Sequence, residues 1–172
     1  MSKFNFLDLT DDVRQLMVEE INNDIAEEKL YISERLNEAG KEVYPNFLLE
    51  TAIQGNEELL TSLLESDEYF NSTYLRQNKP VKMPSNAASL LAQSEFNRFY
   101  IRAVCRASIN QNISEVEIYR ARESSWARAG SEDQIGEKIL AEDLLKDLRT
   151  SIGVQPQILP EINSGLSVKL VE

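Results

Sequence analysis

Residues 85–122, SNAASLLAQSEFNRFYIRAVCRASINQNISEVEIYRAR, hold the densest apolar run of the chain. Leu90, Leu91, Phe96, Phe99, Tyr100, Ile101, Val104, Cys105 and Ile109 cover more than one face of a helix over 86–109, capped by Ser85. That breadth predicts a central helix buried on two sides. Arg98, Arg102 and Arg106 stand four residues apart and form a single stripe along it. After Asn110-Gln-Asn, Val116-Glu-Ile-Tyr-Arg alternates apolar and polar, as a short strand does. The other segments are read by how they would cover this spine.

Upstream, 10–28 repeats Val13, Leu16, Met17, Ile21 and Ile25 at helical spacing, with acids on the opposite face. Asp8 or Thr10 can cap this helix, and Phe4, Phe6 and Leu7 can fold back on it as a staple. A short helix is expected over 30–43, with Ser33 as its cap, and Tyr44-Pro45 as the break after it. Residues 45–66 form an αα-hairpin: Phe47, Leu48, Leu49, Ala52 and Ile53 make one face. Gly55-Asn56 turns, and Leu59, Leu60, Leu63 and Leu64 make the second. Residues 67–85 contain Pro80 and Pro84 and read as a long connection, its aromatics anchored on the core and its lysines solvated.

Downstream of the spine, 123–138 reads as a polar loop holding Trp126. AEDLLKDLRT over 141–150 is a helix with Leu144, Leu145 and Leu148 inward, its acids leading as the helix dipole favours. The tail 155–172 carries two prolines and an alternating LSVKL. It is expected to be an extended arm that pairs with the 116–120 strand or adds to the sheet of another copy. The fold class is therefore mainly α: one helical domain over 1–154, a small β element and an extended C-terminal arm.

Composition limits the chemistry. The chain has 172 residues, no histidine and one cysteine. These counts remove His-based nucleophilic centres, structural zinc and an internal disulfide framework. No Walker A, GxGxxG or EF-hand pattern occurs, and the acids at Glu19, Glu20, Asp24, Glu27 and Glu28 read as a solvated helix face rather than a metal site. No enzyme activity, cofactor or metal is expected. The single cysteine suits a reducing compartment, and the start lacks the apolar core of a signal peptide. No run approaches the ~20 apolar residues of a membrane span. A cytoplasmic protein without a membrane partner is the expectation.

Charge is unevenly spread. The total is −11, with 17 acids against 5 bases in residues 1–70 and 9 bases against 4 acids in 71–128. Two uses of the arginine stripe compete: a cationic face for phosphates or an acidic partner, or a seam matched to the N-terminal acids. The acid surplus upstream weighs for the seam. The candidate partner-binding residues are Arg98, Arg102, Arg106, Tyr119, Arg120, Arg122, Trp126 and Arg128, with Tyr119–Arg128 the portion outside the spine.

EFNRFYIRAVCRASI, VEIYRARESS, LLKDLRT and NSGLSVKL together resemble uncharacterised proteins of tailed phages and prophages, over about the last half of the chain. The resemblance carries no site residue with it, and it implies a virion or phage-accessory role in the host cytoplasm. The expected function is thus a non-enzymatic assembly or interaction protein. Self-association would join the acidic N-terminal face to the basic 98–128 region, with virion neighbours as other partners. Two alternatives are an acidic decoy that occupies a host nucleic-acid-binding surface, and a nucleic-acid-binding accessory protein using 76–128.

Overall fold

The computed structural model describes residues 4–123, 132–159 and 164–171. Its helices are α1 (Asp11–Ala26), α2 (Glu38–Gln54), α3 (Glu57–Glu65), α4 (Ala87–Asn110) and α5 (Ala141–Thr150). Its strands are β1 (Thr73–Arg76), β2 (Lys79–Lys82), β3 (Glu115–Arg120), β4 (Lys138–Leu140) and β5 (Leu166–Leu170). The protein is mainly α, with a two-stranded sheet, β1-β2, and a three-stranded antiparallel sheet ordered β4-β3-β5.

α4 is the spine that its apolar breadth predicts. Eighteen of its 24 residues are buried, because α1, α3, α5 and β5 pack around it. Phe96, Tyr100, Ile101 and Val104 are fully enclosed, and each large apolar side chain so buried contributes roughly 1.5–3 kcal/mol. α1 begins where its cap dictates: the Thr10 hydroxyl accepts from Val13 N at 3.3 Å, and Asp11 and Asp12 occupy the first turn. The staple forms elsewhere, however. Phe6 packs on Phe96 and Tyr100 with centroids 5.1 and 4.7 Å away, and Phe4 stacks on Phe6, while Leu7 is exposed. The N-terminal segment is thereby pinned to α4 and β3 rather than folded back on α1, and Asn5 N donates to Ala121 O at 2.7 Å.

The expected helix over 30–43 and the break at Pro45 are both corrected. Residues 27–37 are irregular, and α2 starts at Glu38, where the Asn37 side chain accepts from Gly40 N at 2.8 Å. Ser33 accepts from Arg35 N in a local turn and caps no helix. α2 then runs straight through Pro45. Proline inside a helix forfeits one hydrogen bond and costs ~3 kcal/mol. Complete burial of Tyr44 and Leu48 on either side of it offsets that cost. Gly40 is there for space: a Cβ would collide with the carbonyl oxygen of Tyr69, which crosses directly above it. The helical hairpin itself is as expected, with α2 and α3 joined at Gly55-Asn56 and Asn56 capping α3.

Residues 73–82 form a β-hairpin where a long connection is expected. Gln77 and Asn78 take φ of 51° and 65°, the two left-handed positions of a tight turn whose twist suits a hairpin. Arg76 pairs with Lys79 and Tyr74 with Val81, and Met83 N donates to Ser72 O at 2.9 Å. Pro80 faces Leu75, between the Arg76–Lys79 and Tyr74–Val81 pairs, where an antiparallel ladder needs no donor.

Residues 166–170 of the C-terminal tail lie on the body. β5 pairs with β3 from Val116↔Leu170 to Arg120↔Leu166, the first of the two pairings expected for it. Leu166 and Val168 are buried against α4, and Asn97 Nδ2 donates to Leu166 O at 3.0 Å. β4, which begins at the last residue of the expected polar loop, pairs with β3 on the other side and leads directly into α5.

Candidate interaction surface

Each member of the arginine stripe has its partners inside the chain. Arg102 is 1% exposed. Its Nε donates to Glu20 Oε1 at 2.9 Å, and Nη1 and Nη2 donate to the two oxygens of Asp24 at 2.8 and 2.9 Å. Arg106 reaches Glu19 at 3.1 Å and Glu20 at 3.4 Å, and Arg149 on α5 closes on Glu20 at 2.7 Å. Burial alone would raise the Glu20 carboxyl. The hydrogen bond from Arg149 and the charge of Arg102 outweigh it and hold Glu20 below the usual carboxylate range. Glu20 and Asp24 are therefore inward members of α1, not part of the solvated acidic face expected for them. Arg98, also buried, spans Ser151 O and Val154 O at 2.9 Å each and lies 3.5 Å from Glu95.

Tyr119 is 8% exposed, and its hydroxyl donates to Asn5 O at 2.6 Å while accepting from Leu7 N at 3.2 Å. It is thus a clasp on the N-terminal segment. Arg120 donates to the carbonyls of Arg122 and Ser164. Arg122 contacts Gln93 and lies over the Phe4 ring at 5.4 Å. Burial and the neighbouring Arg120 both lower its pKa. Trp126 and Arg128 lie outside the described residues. The six described candidates do not form one face: they are distributed between an internal charge seam and the packing of the N-terminal segment against β3.

What the fold does present outward is the β1-β2 hairpin. All of 71–82 is exposed except Tyr74 and Val81, which are partly buried. Arg35 stacks over the Tyr74 ring at 4.2 Å and ties the hairpin to the body. On the opposite face Leu75 is 70% exposed beside Pro80. Arg76, Lys79 and Lys82 are all exposed, and residues 69–94 contain no acid. Among the described residues no third strand joins this sheet.

The sign opposite is on α2. Glu38, Glu42 and Glu50 follow one another along its outer face, and all are exposed. Among them stands Ile53, 58% exposed. The three acids and the exposed isoleucine of α2 equal in number, and oppose in sign, the three bases of the hairpin with its exposed leucine, Lys82 lying on the Leu75 face and Arg76 and Lys79 on the Tyr74 face. The cations of the hairpin read in sequence as a solvated loop, because its turn is Gln-Asn rather than the stronger Asn-Gly and a proline interrupts its second strand. The α2 stripe was obscured by the misplaced start of that helix.

The remaining chemistry is sparse. Among the described residues no group of three or more His, Cys, Asp or Glu is placed to hold a metal. Cys105 is fully buried and burial pushes its thiol up, away from reactivity. No helix among the described residues is long and apolar enough to cross a membrane. No protein-family model, curated protein or solved structure matches the chain.

Proposed function

We propose that this protein is a non-enzymatic assembly protein whose copies join by seating the basic β1-β2 hairpin of one on the acidic outer face of α2 of the next. The hairpin carries the reading. It is a two-stranded ribbon exposed nearly everywhere, bearing three cations in a chain of net charge −11. An isolated hairpin is at best marginally stable in water, so a ribbon of this kind gains most when something covers it. The expected joint between N-terminal acids and the 98–128 arginines gives way to this one, because Glu20 and Asp24 already neutralise Arg102 within the chain. The contact joins two different surfaces, so repeated copies form rings or run on as filaments. That geometry suits a virion component, the setting which the tailed-phage resemblance implies.

Multi-angle light scattering tests the joint. Mass should rise with concentration at low salt and fall toward the monomer at high salt. The Arg76→Glu/Lys79→Glu/Lys82→Glu variant should remain monomeric. Mixing it with a Glu38→Lys/Glu42→Lys/Glu50→Lys variant should restore a heteromeric species. A monomer under all conditions refutes the joint. Low-salt retardation of single-stranded DNA that the hairpin variant loses would favour nucleic acid as the hairpin's partner instead.

A further inference from the structure

At the root of the hairpin, a cavity of about 370 Å³ lies between residues 31–35, the first turns of α4 and residues 153–155. Its lining includes Glu95, a carboxylate only 3% exposed. Arg98 is Glu95's sole partner among the described residues: its Nε stands 3.5 Å from Oε2, a long contact, while both Nη atoms are committed to Ser151 O and Val154 O. Glu95 Oε1 accepts no hydrogen bond from any described residue. Burial pushes this carboxyl up against the opposing pull of Arg98. The Tyr44 hydroxyl, fully buried and within electrostatic reach of Glu95, also has no partner, nor does Arg98 Nε have a well-formed one. In the cavity lining, Arg98 Nε is thus under-served and Glu95 holds a single long contact, which is unusual because buried polar atoms are nearly always hydrogen-bonded.

The second charged wall is Arg35. Its guanidinium face is taken up by Tyr74, but its in-plane N–H groups meet no carboxylate among the described residues. Stacking leaves that edge free for the bidentate grip arginine gives a carboxylate. Ser33 and Ser94 also line the cavity and add hydroxyls to its wall. On the remaining side Gly153, at φ +73°, has no Cβ to collide with the Tyr31 ring, which therefore lies close to its backbone.

From this juxtaposition we infer that the cavity binds a small zwitterion of the α-amino-acid type, its ammonium on Glu95 and its carboxylate on Arg35. An ammonium supplies the donors that Glu95 Oε1 lacks, and the carboxylate supplies Arg35 with its missing anion. Because Arg35 also stacks on Tyr74, occupancy would bear directly on the base of the hairpin.

The test is titration calorimetry and thermal-shift measurement of the full chain against individual L-amino acids at millimolar concentration. Each is paired with its deaminated acid and its decarboxylated amine. At least one amino acid should bind saturably and raise the melting temperature, and neither truncated analogue should match it. Affinity should fall at least about tenfold in Glu95→Gln and in Arg35→Ala, because each removes one charged hydrogen-bonding partner. If Glu95→Gln does not fold, Arg35→Ala, a half-buried position outside the core, still decides. The inference is overturned if no amino acid binds, if a deaminated acid binds equally well, or if binding survives Arg35→Ala.

Discussion

Replacing Arg102 with methionine tests the seam that organises the fold. The substitution keeps most of the side-chain volume and removes three hydrogen bonds to two carboxylates. Their losses are unequal. Glu20 keeps Arg149 at 2.7 Å and Arg106 at 3.4 Å, so it stays ionised and paired. Asp24 is 1% exposed and has Arg102 as its only side-chain partner among the described residues, through both oxygens. It is left as a bare buried charge. Breaking a buried pair in this way costs about 3–5 kcal/mol. With a urea m-value of ~2 kcal/mol/M, the midpoint of unfolding should fall by roughly 1.5–2.5 M. The cost lies in the orphaned carboxylate rather than in the lost attraction. Arg102→Met/Asp24→Leu should therefore recover most of it, since apolar replacement of a whole buried pair is often neutral or better. A loss under about 1 kcal/mol for Arg102→Met, or a double variant no better than the single, would refute the seam.

Three further outcomes follow from the geometry. Gly40→Ala should destabilise by about 1–3 kcal/mol in urea unfolding, because the new methyl meets the Tyr69 carbonyl. Helix propensity alone predicts a gain of ~1 kcal/mol, so the sign decides. Gln77→Asn/Asn78→Gly should stabilise the hairpin, since both positions hold positive φ. Amide exchange at 73–82 should slow by about three- to fivefold while the global midpoint barely moves. Lowering the pH should weaken the wild type through Glu20. Its folded pKa is depressed, so its contribution is whole above the unfolded value of ~4.3 and is lost as the pH falls through the folded one. Glu20→Gln should flatten that part of the stability profile, read from urea midpoints across the acid range.

Local pattern was enough wherever the buried face and the chain's own stop signals agreed. α5 occupies the stretch 141–150 that its leucine spacing marks. α1 starts after the Thr10 cap, and α4 differs by a residue at each end from the expected 86–109. Pattern failed where tertiary packing overrode local preference. Gly40 and Pro45 both signal a break, yet Tyr69 needs the space above Gly40, and Tyr44 and Leu48 bury on either side of Pro45. β4 is three residues long, and only its pairing with β3 defines it. For the arginines, spacing reveals the stripe and composition reveals the surplus of acids that meets it. Which acids do so depends on the angle at which α1 crosses α4. Arg98 was illegible for another reason, since its two Nη atoms donate to backbone carbonyls 53 and 56 residues away. No side-chain pattern advertises a carbonyl.

These differences sort the charge of the chain into two systems that salt can separate. Arg102 with Glu20 and Asp24 at short range, and Arg98 with Glu95 at a longer 3.5 Å, are buried pairs little affected by ions in solution. The hairpin cations are exposed. Residues 69–94 carry +3 and the rest of the chain therefore carries −14. In the proposed joint, two copies would repel one another except where a hairpin approaches an acidic face, so the field that disfavours random contact would also steer that one. Screening removes both effects over about 10 Å at 0.1 M salt and about 3 Å at 1 M. Raising salt should then dissolve the joint between copies while the melting temperature of the monomer stays nearly constant. If association and unfolding weakened together, the hairpin joint would be part of the fold's own charge seam, and the two systems would be one.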